Sequence, residues 1–442
     1  MKKIAILLVI LMSLSVFAAC GGTTPAASPS GSTAPSGSAA PSGNHPTAIK
    51  VGVLNPSTGA LAGMGEGTPY LDNYFVDYIN NTLGGIYIKD YDAKLPVQLV
   101  YYDTGSSSDN ASALTAKMIT EDKVNIILAR HTPDMVVPTT ATAEQYGVPT
   151  IATDCPGGPW LGQGDHYWSF LSAPDDQTYY NAYSSIWKAA GYKAGDANAT
   201  IGLIFANDVD GTILGPSYKE KAETDGFKTL DPGLYAAGTN DFTSLIQKFQ
   251  QNNIEIVFGV MINPEFSAFW AQCQQLGYQP KVVVVGKAYM LESQALAVGA
   301  DLMDGMCNEV WWDVHFPFVS KTMNQSASAF GDKYLADTGN KAAGPQGAKY
   351  ASWELLIDVL SRSANLDAET IHSAIAATDL DTIMGHIKYN DLNFCPTVCV
   401  GGQWVLNADG KTMSQEIVSN PDASNGIVTT APVKTSGFAW QK

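Results

Sequence analysis

Residues 49–54 (IKVGVL) form a β-branched, largely apolar run, the pattern of a buried strand. A turn segment, Asn55-Pro56-Ser57-Thr58-Gly59, and a small-residue loop over 60–67 follow it. Beyond Pro69 the apolar positions Leu71, Tyr74, Phe75, Tyr78 and Ile79 recur at three- and four-residue spacing, which predicts a helix with one buried face, ended by Gly84-Gly85. The rhythm continues with strands over 97–102, 126–129 and 149–152. Between them fall helices over 109–121 and 134–146, the second tolerating Pro138 in its first turn. Regular βαβ alternation predicts a parallel sheet covered by helices on both faces.

From Pro174 the pattern restarts. Asp175 is placed to cap a helix that carries Tyr179, Tyr180, Tyr183, Ile186 and Trp187. Strands follow over 201–205, 256–260 and 282–285, with helices over 215–225, 242–252 and 264–276. A second lobe thus repeats the first, and a two-lobe protein of this kind places its binding site between the lobes. Residues 305–312 read as a crossover strand; 319–338, 346–361 and 367–377 read as helices, and the chain beyond 403 as strand and loop. In the pair Trp311-Trp312, strand alternation sends one ring toward the cleft and the other away.

Length agrees with two lobes, because residues 47–442 exceed the ~250–300 at which a single core stops growing. Forty-two acidic against 25 basic residues give a net charge of −17, which excludes nucleic acid as a partner. The amino terminus reads as a targeting segment. Lys2-Lys3 precedes an apolar stretch over 4–17 that is short of the ~20 residues a membrane helix needs. Ala18-Ala19-Cys20 resembles a bacterial lipoprotein box, with Phe17 where Leu is usual, and marks Cys20 for lipidation. Residues 21–46, almost all Gly, Ser, Thr, Pro and Ala, read as a flexible tether. Five cysteines remain (155, 273, 307, 395 and 399), so at least one is unpaired; Cys395 and Cys399 are candidates for a small-loop disulfide. No Cys-x-x-Cys pair occurs and the histidines are scattered, which argues against structural zinc. A dinucleotide fingerprint starting at Gly63 fails at Thr68, and a calcium loop over 206–211 fails at Ala206, so no cofactor is expected.

The first strand, Pro56-Ser57-Thr58-Gly59-Ala60-Leu61-Ala62, a helix, Gly84-Gly85-Ile86 and a second strand ending in Tyr102-Asp103 resemble the substrate-binding proteins of branched-chain-amino-acid-type ABC transporters, from about Ile49 to at least Gln403. The resemblance implies an α/β fold of two doubly wound, Rossmann-like lobes joined by a three-crossing hinge, the type I periplasmic binding protein fold. Crossings are expected near Ser172, His315 and Phe394. The expected organisation is then a lipoprotein signal peptide over 1–19, an anchor Cys and linker over 20–46, a first lobe from 47–172 plus 316–393, and a second from 173–315 plus 394–442.

The loops after the strands supply the candidate ligand contacts. Met64 falls where the family often has an aromatic side chain. Arg130, His131, Thr132 and Asp134 open a helix after the third strand, where N–H groups favour an anion such as a ligand carboxylate. The family places serine-type hydroxyls here; Thr132 then Pro133 is a departure. Asp154, Cys155 and Trp160 lie after the fourth strand. Asp210 and Asn263 follow strands of the second lobe. Lys287 and Tyr289 end the 282–285 strand, where amino-acid binders of the family tend to place an acidic residue for the ligand's ammonium. A lysine there attracts a carboxylate instead.

The expectation is therefore an extracytoplasmic, membrane-anchored, monomeric substrate-binding lipoprotein of an ABC importer. It captures a small carboxylate-bearing solute, a branched-chain or related amino acid, closes two lobes over it and delivers it to a permease. An aromatic or other non-amino organic acid is the alternative ligand, and a ligand-sensing lipoprotein the alternative role. No enzymatic step is expected; the rival, a hydrolase, requires Cys155 as nucleophile with His131 as its base.

Overall fold

The strand β1 (Ile49–Asn55) is buried along its length except at Lys50. It pairs in parallel with β2 (Val97–Asp103) on one side and β3 (Ile126–Ala129) on the other. β4 (Thr150–Ala152) and β5 (Ser169–Ala173) continue the sheet beyond β3, all parallel. The computed structural model to which these elements belong describes residues 45–441; the signal segment, Cys20 and the tether up to residue 44 lie outside the described residues. Helices α1 (Thr68–Asp77), α2 (Ser108–Lys117), α3 (Pro133–Tyr146) and the short α4 (Gly157–Leu161) connect these strands. Pro138 lies in the interior of α3, not in its first turn. Its missing N–H frees the Asp134 carbonyl, which instead accepts from the Ser108 hydroxyl at 2.9 Å.

After α5 (Asp176–Ala189) the second sheet is built on the same plan. Its strands are β6 (Ile201–Phe205), β7 (Thr229–Leu230), β8 (Ile256–Val260), β9 (Val282–Gly286) and β10 (Cys307–Val310), followed much later by β11 (Val400–Leu406) and β12 (Met413–Ser419). The order is β12-β11-β10-β9-β8-β6-β7. The core from β6 to β10 is parallel; β11 and β12 add antiparallel at one edge. Helices α6 (Val209–Thr224), α7 (Thr243–Gln251), α8 (Asn263–Gln275) and α9 (Glu292–Val298) pack around this sheet.

Three expectations are corrected. The segment 319–338 is not one helix: Val319–Ser320 and Gln325–Ser326 form a hairpin, and α10 (Ala327–Thr338) starts only after Ser326, whose hydroxyl accepts from the Ala329 N–H at 3.1 Å. That cap is local chemistry which apolar spacing alone does not register. Phe394–Pro396, assigned from sequence to the second lobe, extends the first sheet instead. It pairs with β5 from Phe394↔Leu171 to Pro396↔Ala173, so the third crossing runs between Pro396 and Val400. The bare edge of β5 would otherwise leave its backbone groups unpaired. The candidate Cys395–Cys399 disulfide is not formed, and all five described cysteines are free and buried.

α11 (Gly344–Arg362) crosses the first lobe with almost every side chain buried, Lys349 and Glu354 included; α12 (Ala368–Ala376) covers it. A Cβ at Gly347 of α11 would meet the Trp312 ring at 2.3 Å, so glycine permits that close approach. Trp312 donates Nε1–H to the Ile383 carbonyl at 2.9 Å and packs on Phe330, whereas Trp311 turns to the cleft. No helix among the described residues is long and apolar enough to cross a membrane.

Candidate functional site

The carboxyl ends of both parallel sheets face one cleft, where open α/β sheets bind ligands. Four non-glycine residues in the left-handed region stand at these strand ends: His131 and Thr132 after β3, Asp154 after β4, and Lys287 after β9, with φ of 79°, 71°, 62° and 67°. Such backbone costs about 1–3 kcal/mol per residue and gathers at functional sites.

Lys287 is the centre of the cleft. Its Nζ donates to Asp134 Oδ2 at 2.7 Å and to Asp210 Oδ2 at 2.7 Å, with Asp208 Oδ2 at 4.0 Å. Asp134 lies in the first turn of α3, and Asp210 in the first turn of α6, which Asp208 caps through the Gly211 N–H. Burial opposes the lysine's charge, but the carboxylates of Asp210, Asp134 and Asp208 outweigh it and hold the ammonium well above its ordinary value. Burial pushes Asp210 up to about 6 against the pull of Lys287, whereas Lys287 holds Asp134 below the usual range despite burial. Glu309 of β10 accepts from the Lys287 N–H at 3.2 Å and is raised by burial to about 7; its Oε2 is buried without a partner among the described residues.

Beneath the first-lobe loops lies a second set of buried charges. Arg130 Nη2 bonds both Asp72 oxygens at 2.9 and 3.1 Å, and Trp353 Nε1 donates to the same carboxylate. Lys349 Nζ reaches Asp154 Oδ2 at 3.3 Å and the Met64 carbonyl at 3.1 Å. Burial pushes the Asp154 carboxyl up and the Lys349 ammonium down, each opposed by the other's charge. His131 is enclosed between the Met64 carbonyl and Asp154, and burial, with Lys349 and Arg130 beside it, holds it well below its ordinary value, hence neutral.

The space left is divided in two. An inner cavity of about 30 Å³ is lined by Met64, Thr132, Asp154, Asp210, Lys287, Glu309, the rings of Tyr179, Tyr183, Tyr218 and Trp311, and apolar side chains. An outer cavity of about 200 Å³, bounded by Ala60, Leu61, Gly63, Ile262, Asn263 and Gln294, shares Met64 and Lys287 with the inner one. The inner volume holds one or two waters, and Lys287 and Met64 border both spaces. The lobes also touch where Ser293 Oγ donates to Glu66 Oε2 at 2.6 Å and Lys341 Nζ to Glu292 Oε1 at 3.0 Å.

Of the residues singled out from sequence, Met64, Thr132, Asp154, Asp210 and Lys287 line the inner cavity; Asn263 lines the outer one, its amide donating to the Ala288 and Gln294 carbonyls; and Asp134 reaches Lys287. Others are corrected. Arg130 is spent on Asp72 in the core, because a buried guanidinium needs a carboxylate. His131, neutral and enclosed, brings no charge to the cleft. Trp160 stacks on His166 at 3.6 Å and borders neither cavity. Tyr289 turns inward, its hydroxyl donating to the Cys307 carbonyl at 2.9 Å. Cys155 is buried and borders neither cavity, and burial pushes its thiol well up. Sequence reasoning missed Asp72, Asp208, Glu309, Lys349 and the tyrosines. The signal for Lys349 and Glu354 was a charge inside an apolar helix; Tyr179 and Tyr183 lay on an apolar face already read as core.

A family model described as periplasmic binding protein matches residues 48–398. Among solved structures, the chain is similar to a branched-chain amino acid transporter substrate-binding protein from Streptococcus pneumoniae in complex with isoleucine (19% identity, TM-score 0.67, 84% of this chain and 99% of that one). It is similar to a leucine-binding protein from Thermotoga maritima (18%, TM-score 0.69, 85% and 99%). It also resembles a solute-binding protein of an ABC transporter from Rhodopseudomonas palustris in complex with 3,4-dihydroxybenzoic acid (16%, TM-score 0.66, 89% and 99%).

Proposed function

Because this chain belongs to the periplasmic binding protein family, whose members capture small solutes outside the cytoplasm for ABC permeases, we propose that it binds an amino-acid-type solute between its two lobes and closes over it. The observation that carries this reading is the cleft itself. Both sheets aim their strand ends into it, and it holds an ammonium, Lys287, beside a set of carboxylates, Asp134, Asp210 and Glu309. A zwitterion matches both signs at once: Lys287 for its carboxylate, the acidic groups for its amine. Lobe closure buries the solute and creates the shape a permease recognises.

A second reading, an aromatic acid lacking an amine, is favoured by the four rings on the inner cavity and by the dihydroxybenzoic acid bound to the Rhodopseudomonas relative. We extend the proposal to the chain's organisation: a monomer of two lobes hinged at three crossings, held at a membrane surface through lipidated Cys20. Incorporation of a fatty-acid analogue that is lost in Cys20→Ser tests the anchor.

The experiment for the ligand is a thermal-shift screen against amino acids and against carboxylates without an amine. A solute at 100 times its Kd stabilises by about 2.7 kcal/mol, a clear rise in Tm. A shift with leucine, isoleucine, valine or another amino acid supports the first reading, and a shift with aromatic acids alone the second. Silence across both panels sinks amino acids and carboxylates as the solute class.

A further inference from the structure

The inner cavity is a poor place for an anion. Lys287 is the only basic residue among the described residues that line it, and its ammonium is already bonded to two carboxylates. Arg130 is turned away to Asp72 and His131 is neutral, so neither adds positive charge. Around Lys287 stand Asp134, Asp208, Asp210 and Glu309, four acids to one base. Unpartnered polar atoms bear on the same space: Glu309 Oε2 and Asp154 Oδ1, both acceptors when ionised, belong to buried side chains that line the cavity. The remaining wall is aromatic, from Tyr179, Tyr183, Tyr218 and Trp311. Ring faces attract cations through their quadrupoles, more strongly where water is excluded. An acidic, aromatic, nearly dry chamber is chemistry for an alkylammonium group.

Something already fills that role. Lys287 Nζ is itself an alkylammonium on a flexible stem, and Lys287 lines both the inner and the outer cavity. Its own backbone is in the left-handed region. We propose that the inner cavity is a subsite for an organic ammonium group of the solute, and that the Lys287 side chain is its tethered stand-in, displaced toward the outer cavity when the solute enters. Displacement merges the two chambers and frees Lys287 to pair with a carboxylate at the solute's other end, if it has one. This inference rests on solute capture in the cleft and goes further, because it predicts binding of amines that carry no carboxylate.

The test is calorimetric titration of the full-length protein with two probe sets: choline and tetramethylammonium, which lack a carboxylate, and benzoate and isovalerate, which lack an amine. Lys287→Gln removes the stand-in and leaves the acids. The ammonium probes are expected to bind the native protein and to bind K287Q about tenfold more tightly, with Asp210→Asn weakening them by a similar factor. Should K287Q fail to fold, the charge-balanced K287Q/D210N keeps the test open: it is expected to bind the ammonium probes at least as well as the native protein does. The inference is overturned if benzoate or isovalerate binds, K287Q abolishes that binding and the ammonium probes are inert; solute capture then stands. It is also overturned if amino acids bind but neither ammonium probe does. If no amino acid, acid or amine binds, the proposed solute class falls with it.

Discussion

Lys287 of the second lobe and Asp134 of the first meet at 2.7 Å, so one ion pair spans the cleft. Neither residue is held by chance. The Asp134 carbonyl is fastened by Ser108, and the Lys287 backbone by Glu309. Asp134→Ala is expected to weaken closure and to leave Lys287 with the second-lobe carboxylates of Asp210 and Asp208. The pair is mostly shielded, placing its loss between a surface and a fully buried ion pair, on the order of 1–3 kcal/mol. Small-angle scattering of the unliganded protein should show a larger radius of gyration; an unchanged one would mean the pair does not hold the lobes.

Ser108→Ala removes the donor that satisfies the carbonyl exposed by Pro138. The expected destabilisation is about 1 kcal/mol. A backbone N–H at position 138 supplies the missing donor by another route, so Pro138→Ala should be tolerated better in the S108A background than its single effect implies. A double-mutant cycle by urea unfolding measures this coupling, and simple additivity would refute it.

Gly347→Ala drives a methyl group into Trp312, whose ring lies 2.3 Å from the added Cβ. Overpacking of this kind costs about 1–3 kcal/mol. A lowered Tm with blue-shifted or broadened tryptophan fluorescence is expected; an unchanged Tm would show that the ring and helix yield freely.

Stability should fall as pH rises from about 4.5 to 8. Burial raises Glu354 to about 8, Glu309 to about 7 and Asp210 to about 6, against unfolded values near 4. The folded state therefore binds more protons than the unfolded one in this window. The stability is complete below the unfolded values and is lost as pH passes through the folded ones. Glu354→Gln keeps the shape and cannot ionise; it should flatten the alkaline limb, with a gain on the order of a few kcal/mol at pH 8 and little effect at pH 4. Chemical denaturation across pH with both proteins decides it, and parallel curves would disprove it.

Cys155 should resist alkylation in the native protein. It is buried, and burial, followed by the nearby charges of Asp210, Asp154 and Asp134, raises its thiol. Peptide mapping after iodoacetamide should find it unlabelled until denaturant is added. Rapid labelling of the native protein would reopen the nucleophile reading.

The strand and helix rhythm was legible from residue order, because period-2 and period-3.6 patterns are local consequences of which face is buried. β1, α1 and the repeated βαβ units of both lobes follow directly, and so does the placing of Met64, Thr132, Asp154, Asp210 and Lys287 at strand ends. What each residue faces was not local. Arg130 and Lys287 look alike in sequence, a base just past a buried strand; a distant Asp72 draws one into the core, and Asp134 and Asp210 hold the other in the cleft. Glu309 and Lys349 lie 40 residues apart in the chain, and only packing puts both in or under the site. Charge balance in a cleft is a sum over partners far apart in sequence, taken in a medium where each unpaired group is expensive. Residue order determined the scaffold and the loops that meet; tertiary structure alone decided that those loops enclose more acid than base.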